Sequence, residues 1–323
     1  MNKKIILSLL VAFFISTIFV GCQFFALMTT PEKQLNNKET PLSKTAEDFF
    51  WFNFHAGNYD SIPKMKNLLT AAYLENPGNS IIAAHIAFVN MWELAERQKQ
   101  KDTNNATIIY NATIAKKFFA ESYMLNPTDP RIEGFLGVAQ MTEGSINEDE
   151  KETVRGYFTL DHAVGDWPEF NDFTMGYMLT QLPKSNERFP EGIQMFWDNL
   201  DVCVDGTVSR QNPDYTPYMR LETTNGEKRV CWNGWIAPHN FEGFFMAFGD
   251  ALVKDGKVET AVKIYNNAKL SKTYYTWKYR EFLENRIANA KENVKYFNDD
   301  TQTDDNKVIM FKSSFSCMSC HQN

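Results

Sequence analysis

Several things are scarce in this chain of 323 residues. Five cysteines are too few to build a small disulfide scaffold. Sixteen glycines and twelve prolines exclude a collagen-like or low-complexity polypeptide. Positive charge is not in excess: 33 Lys and Arg stand against 40 Asp and Glu, for a net charge of −7. That excludes a general nucleic-acid binder, which needs a basic footprint to displace phosphate counterions. A nucleophile elbow, an H-E-x-x-H zinc helix, a P-loop and a Rossmann fingerprint are all missing, so no catalytic residue is assigned and the scattered carboxylates read as surface solvation. What is there is a 43% hydrophobic, aromatic-rich body with 26 Phe, 13 Tyr and 7 Trp, enough for a sizeable core.

The N-terminus reads as an address. Met1-Asn2-Lys3-Lys4 precedes an apolar run from Ile5 to Val20, which is short for a membrane span and has the layout of a secretory signal. The run ends Phe19-Val20-Gly21-Cys22, which resembles a bacterial lipobox. The resemblance implies cleavage of residues 1–21 and lipidation of Cys22. The body would then face the periplasm from a lipid anchor, at the outer membrane because Gln23 rather than Asp follows Cys22. Residues 22–45, punctuated by Pro31 and Pro41, read as a lipidated tether.

Residues 46–297 carry helical periodicity and little strict alternation, which predicts an all-α fold. Asn76-Pro77 and Asn126-Pro127 predict turns between helices. Phe245, Phe248, Gly249, Leu252, Gly256, Ala261, Tyr265 and Ala268 have spacings that resemble a tetratricopeptide repeat. Leu136, Gly137 and Gly144 fit a degenerate unit of the same kind. The resemblance implies a tetratricopeptide-like helical repeat array whose small residues let paired helices approach. Tyr275, Tyr279, Phe282, Leu283, Ile287, Ala290, Val294 and Phe297 step by three and four, which predicts one buried stripe on a capping helix. Residues 201–240 break the pattern with Gly206, Pro213, Pro217, Gly226, Gly234 and Pro238. Cys203 and Cys231 flank most of this insertion; in an oxidising compartment they read as a disulfide, the alternative being two buried thiols. Trp232, Trp235 and His239 make the insertion a candidate contact for a ligand or partner.

The chain ends Phe315-Ser316-Cys317-Met318-Ser319-Cys320-His321-Gln322-Asn323. Cys317-x-x-Cys320-His321 resembles the c-type haem attachment motif. The resemblance implies one covalent haem c, held by thioethers at Cys317 and Cys320 with His321 as the proximal iron ligand. A C-x-x-C redox pair without haem, a zinc site drawing on Cys203 and Cys231, and an accessory metal-binding tail are the competing readings. Too little chain follows His321 to supply a distal ligand, so one would come from upstream. His239 is the first candidate and Met310 the next, with His55, His85 and His162 behind them. His85 lies in the apolar stretch Ile81–Phe88 and reads as a core residue. A five-coordinate iron stays open. Residues 298–309 read as an acidic linker and 310–323 as the haem-attachment tail; the apolar Val308 and Ile309 at the linker's end, with Met310, Phe311 and Phe315, predict docking in the array's concavity or against the Cys203–Cys231 loop.

Together these features predict a membrane-anchored periplasmic mono-haem c-type cytochrome. Its work would be one-electron transfer or haem-based sensing, with the repeat body docking a redox or scaffold protein partner in the cell envelope. The alternative is a non-catalytic tetratricopeptide scaffold, or a transporter-accessory lipoprotein resembling the T-component of tripartite transporters.

Overall fold

The computed structural model describes residues 28–96, 105–302, 304, 307–312 and 317–323, without the side chains of residues 105, 311, 312 and 317. The apolar run 5–20, Cys22 and Phe315 lie outside the described residues, as do parts of the acidic linker. The chain divides into two units, Met1–Leu35 and Asn36–Asn323. Of the first, residues 28–35 are described, and all are exposed. No helix among the described residues is long and apolar enough to cross a membrane.

The second unit is all-helical, with no strand among the described residues. Its first helix, α1 (Pro41–His55), starts inside the segment expected to be tether. The reason is local. Thr40 and Ser43 form a reciprocal capping box, and Pro41 has the backbone angle that a first helical turn needs. Residues 36–40 are also fastened down: the Asn36 N–H donates to Gly78 O (2.8 Å) and the Thr40 hydroxyl to Glu75 (2.5 Å).

Helices α2 (Ile62–Glu75), α3 (Ser80–Ala95), α4 (Asn105–Leu125) and α5 (Pro130–Ile146) follow, with the Asn76-Pro77 and Asn126-Pro127 turns between them. Asn79 caps α3 by accepting from the Ile81 and Ile82 N–H groups, and Asp129 caps α5. Next come α6 (Glu150–Asp166), α7 (Pro168–Gln181) and α8 (Phe189–Val204). Consecutive helices of this series pack on one another. At the α5–α6 seam Gly137 and Gly156 face each other. A Cβ on either would fall 2.7 or 2.6 Å from the other's carbonyl oxygen, so neither position tolerates a side chain. Phe50, Met65, Leu69 and Trp92 close one apolar cluster across α1–α3; Phe119, Phe196 and Phe248 belong to a larger one.

After α8 the chain runs without long helices to α9 (Asn240–Asp255), and the Cys203–Cys231 disulfide staples this insertion to the end of α8. Closing a loop of that length stabilises the fold by about 3–4 kcal/mol in the chain-entropy account. Helix α10 (Val258–Asn267) pairs with α9, with Gly256 at φ 87° in the turn. Lys254, at the end of α9, donates to the carbonyls of Thr180, Gln181 and Leu182 and so caps α7 with a cation.

The final stripe is not one helix. A short turn at Tyr274–Thr276, then α11 (Arg280–Ala288) and α12 (Ala290–Phe297) replace it, and Tyr275 is 78% exposed. Tertiary contacts override the local pattern here. Trp277 leaves helical geometry and gives its indole N–H to Ser319 O in the C-terminal tail. Arg286 is fully buried between the Phe282 and Phe297 rings and pairs with Asp250 on α9. Asp250 also accepts from the Tyr265 hydroxyl (2.5 Å) and the Met310 N–H (2.9 Å), and Arg286 donates to Val308 O (2.5 Å). This buried cluster therefore holds Val308 to Met310 against α9, and Met318, Ser319 and Cys320 are buried as well. The last helix is α13 (Cys317–His321).

Candidate functional site

A cavity of about 590 Å³ lies between α5, α7, α9 and the stapled insertion. That size is in the range of small-molecule and cofactor sites. Phe135, Phe170, Phe173 and Phe244 supply much of its apolar wall, and both disulfide sulfurs belong to lining residues. Trp232, Trp235 and Ile236 of the insertion line it as well. Cys320 and His321 complete the wall, so the end of the chain is built into the cavity.

The tail reaches this place by specific bonds. The His239 N–H donates to Cys320 O, the Trp277 indole to Ser319 O, and the Asn323 N–H to His55 O, each at 2.9 Å. The Tyr279 hydroxyl donates to the Gln322 side chain at 3.3 Å. Gly243 on α9 makes room for Cys320: a Cβ there would lie 2.3 Å from the sulfur. Burial pushes the Cys320 thiol up to about 12, so at neutral pH it is a protonated thiol. The side chain of Cys317 lies outside the described residues.

His321 is set up as a neutral imidazole with one nitrogen to spare. Burial lowers its pKa to about 4, the Ile236 carbonyl opposing this. Its Nδ1 is 2.7 Å from Ile236 O. A carbonyl only accepts, so Nδ1 carries the proton and Nε2 keeps its lone pair. That is the tautomer in which a histidine binds a metal through Nε2. The ring also stacks on Phe54 at 5.4 Å. His55 gives its Nε2–H to the same Ile236 carbonyl at 3.1 Å, and burial lowers its pKa too.

Comparison with protein-family models, with curated proteins and with solved structures finds no match to this chain.

The remaining expected site residues are placed as follows. His239 is buried beside Cys320 but does not line the cavity. Its ring pairs with Glu242 at 3.2 Å, and Glu242 also accepts from Ser271, Thr273 and Asn233. These donors hold the Glu242 carboxyl low against the upward push of burial. Its role here is to anchor the tail through its backbone. Met310 likewise lies off the cavity wall, its sulfur accepting from Gln181. His85 is buried, stacked on Phe50, with its pKa lowered to about 4 by burial. His162 sits with Glu133 and Asp166 in a group able to offer three metal-ligand atoms. Sequence reasoning missed the Ile236 carbonyl, Gly243 and Trp277, because their roles appear only when the tail folds back onto α9.

Haem is the group that the C-x-x-C-H resemblance implies for this wall. The cavity wall is aromatic, and Cys320 and His321 of the C-x-x-C-H motif are among its residues. A flat apolar ring with polar edges suits such a wall, so the residues present fit the group.

Proposed function

We propose that the chain is a lipid-anchored, envelope-facing mono-haem c-type cytochrome that serves one-electron transfer or haem-based sensing. The observation that carries this reading is the pairing of the C-x-x-C-H tail with an aromatic cavity. His321 and Cys320 stand in its wall, and the imidazole holds its proton on the nitrogen away from the ligand role. Cys317 and Cys320 would hold the haem covalently and His321 would ligate its iron. When bound, the haem supplies reversible one-electron chemistry. The protein's part is to orient and shield. Ile236 O fixes the ring orientation and tautomer of His321, and hydrogen bonding to Nδ1 raises the basicity of Nε2. The apolar wall keeps water from the ring system and lowers the local dielectric, which tunes the potential.

The stacked pairs are read as degenerate tetratricopeptide-like repeats. The most specific unit falls on α9 and α10, where Tyr265 lies directly over Gly249 and both Ala261 and Ala268 are buried. In this reading the array is the frame of the pocket and the docking body for a redox or scaffold partner. The Lys3–Lys4 start, the apolar run and Cys22 support lipid anchoring.

The test is an oxidised and a reduced absorbance spectrum, with intact mass, of protein co-expressed with the haem-attachment machinery. One haem mass on the chain, lost in the Cys317→Ala/Cys320→Ala double variant, is the expected result. Free or mutually joined thiols and no reduced-minus-oxidised band would sink the cytochrome reading and leave a helical scaffold.

A further inference from the structure

The chain enters the helical body at a fixed place. Asn36 and Asn37 are tied to the turn between α2 and α3. The Asn36 N–H donates to Gly78 O (2.8 Å), and its carbonyl accepts from the Asn76 amide (2.7 Å). Asn37 Oδ1 accepts from the Ser80 N–H (2.9 Å) and the Ser80 hydroxyl (3.1 Å). The α4–α5 turn lies beside this one, because the Ser122 hydroxyl near the end of α4 donates to Ser80 O at the start of α3 (2.8 Å). Both turns carry the same exposed feature. Leu74 and Met124 each stand three residues before the turn's proline, and they are 71% and 70% exposed. Ile81, in the first turn of α3, is exposed as well. Single apolar residues scattered on a surface are ordinary. Three at one end of the helices, two of them at matching places in adjacent turns, mark a contact surface.

Chain length says what can cover it. The segment from Cys22 to Asn36 is about fourteen residues long. As a flexible coil it spans about 20 Å, and fully extended no more than about 50 Å. Helix α1 begins at this same end and runs about 22 Å to His55, whose imidazole meets the Ile236 carbonyl beside Trp235. A lipid surface that holds Cys22 therefore meets the two turns first. The charged side chains flanking them, Glu75, Glu121, Asp129 and Arg131, are acidic in excess, so the contact is apolar rather than an attraction to anionic lipid.

We infer that the end of the body formed by the α2–α3 and α4–α5 turns rests on the bilayer that carries the Cys22 lipid, with Leu74, Ile81 and Met124 entering its interfacial layer. This deepens the lipid-anchored reading and depends on it. The anchor supplies the local concentration that makes a small apolar contact persist. Seated this way, the body holds His321, which bonds to the same Ile236 carbonyl, at the far end of α1 and turned from the lipid toward the envelope space.

The test is hydroxyl-radical footprinting, read residue by residue by mass spectrometry. The mature lipidated protein in phosphatidylcholine vesicles is compared with a soluble chain lacking residues 1–22. Leu74 and Met124 should lose reactivity several-fold in the vesicles, while the equally exposed Phe52 and Trp235, at 69% and 68%, keep theirs. A lipidated Leu74→Ser/Met124→Ser variant should still float with the vesicles, and Ile81 should return to its reactivity in the soluble chain. Unchanged reactivity of Leu74 and Met124 leaves this end to a protein partner and overturns the inference. So does equal loss at Phe52 and Trp235, or an Ile81 that stays protected in the double variant. Protection that appears in the soluble chain as its concentration rises assigns the surface to a second copy, and also overturns it. A Cys22 peptide without a diacylglyceryl mass, in a protein that does not float, overturns the anchoring reading itself, and the inference with it.

Discussion

One methyl group at Gly243 should separate docking of the tail from folding of the body. Gly243 sits in the first turn of α9, and a Cβ there would lie 2.3 Å from Cys320 Sγ and 3.2 Å from Ser319 C and O. Carbon does not approach sulfur that closely, so in Gly243→Ala either α13 shifts or it leaves. Overpacking of this kind costs about 1–3 kcal/mol. Against it stand the tail's bonds from His239, Trp277, Tyr279 and Asn323, each contributing about 0.5–1.5 kcal/mol net. Taken from docking alone, the cost raises the population of the released tail by about five- to 150-fold. Cys320 reports that opening. Docked, it is buried with its pKa pushed up to about 12, so almost no thiolate forms at pH 8; released, it becomes an ordinary thiol. The assay is iodoacetamide alkylation of haem-free protein at pH 8, quantified at Cys320 by peptide mass, beside a circular-dichroism melt. Alkylation should accelerate by the factor above while the helical melt barely moves, because the tail sits at the end of the chain. An unchanged alkylation rate would refute the packing account of the tail. A faster rate accompanied by a collapsed melt would show that Gly243 supports the body rather than the tail.

Two further outcomes follow from buried charge. Asp250→Asn leaves Arg286 fully buried without its counter-charge, and chemical denaturation should show a loss of about 3–5 kcal/mol, with Met310 and the tail released early. A loss below about 1 kcal/mol would mean that Arg286 is not the charge Asp250 compensates. His85 has its folded-state pKa depressed to about 4 by burial, against 6.5 ordinarily. Its contribution to stability is therefore fully present above pH 6.5 and is lost as pH falls toward 4, amounting to about 3 kcal/mol at most. His85→Phe, which preserves a ring against Phe50, should flatten that acid limb in urea midpoints measured at pH 7 and pH 4.5; identical limbs in both proteins would count against it.

Much of the helical body was legible because its cues are local. Asn-Pro turns and apolar steps of three and four act within a few residues; the two turns fall between α2 and α3 and between α4 and α5, and the apolar steps follow the α9–α10 pair. The Cys203–Cys231 staple was also readable, from two cysteines around an irregular stretch. The capping helix failed for the opposite reason. Tyr275 to Phe297 has the right period, but Trp277 is recruited by Ser319 and Arg286 by Asp250, and those partners lie on other parts of the chain.

The candidate site divides in the same way. The order Cys317-x-x-Cys320-His321, on which the proposed haem attachment rests, is covalent and is legible in the sequence alone. Only the tertiary structure decided what surrounds these residues. It put the Ile236 carbonyl on His321 Nδ1, set Gly243 under Cys320, turned His239 toward Glu242, and placed Cys320 and His321 on the wall of one aromatic cavity. Tautomer, burial and exposure depend on neighbours brought together over many tens of residues. No periodicity or spacing records them, because they exist only once the tail has packed onto α9.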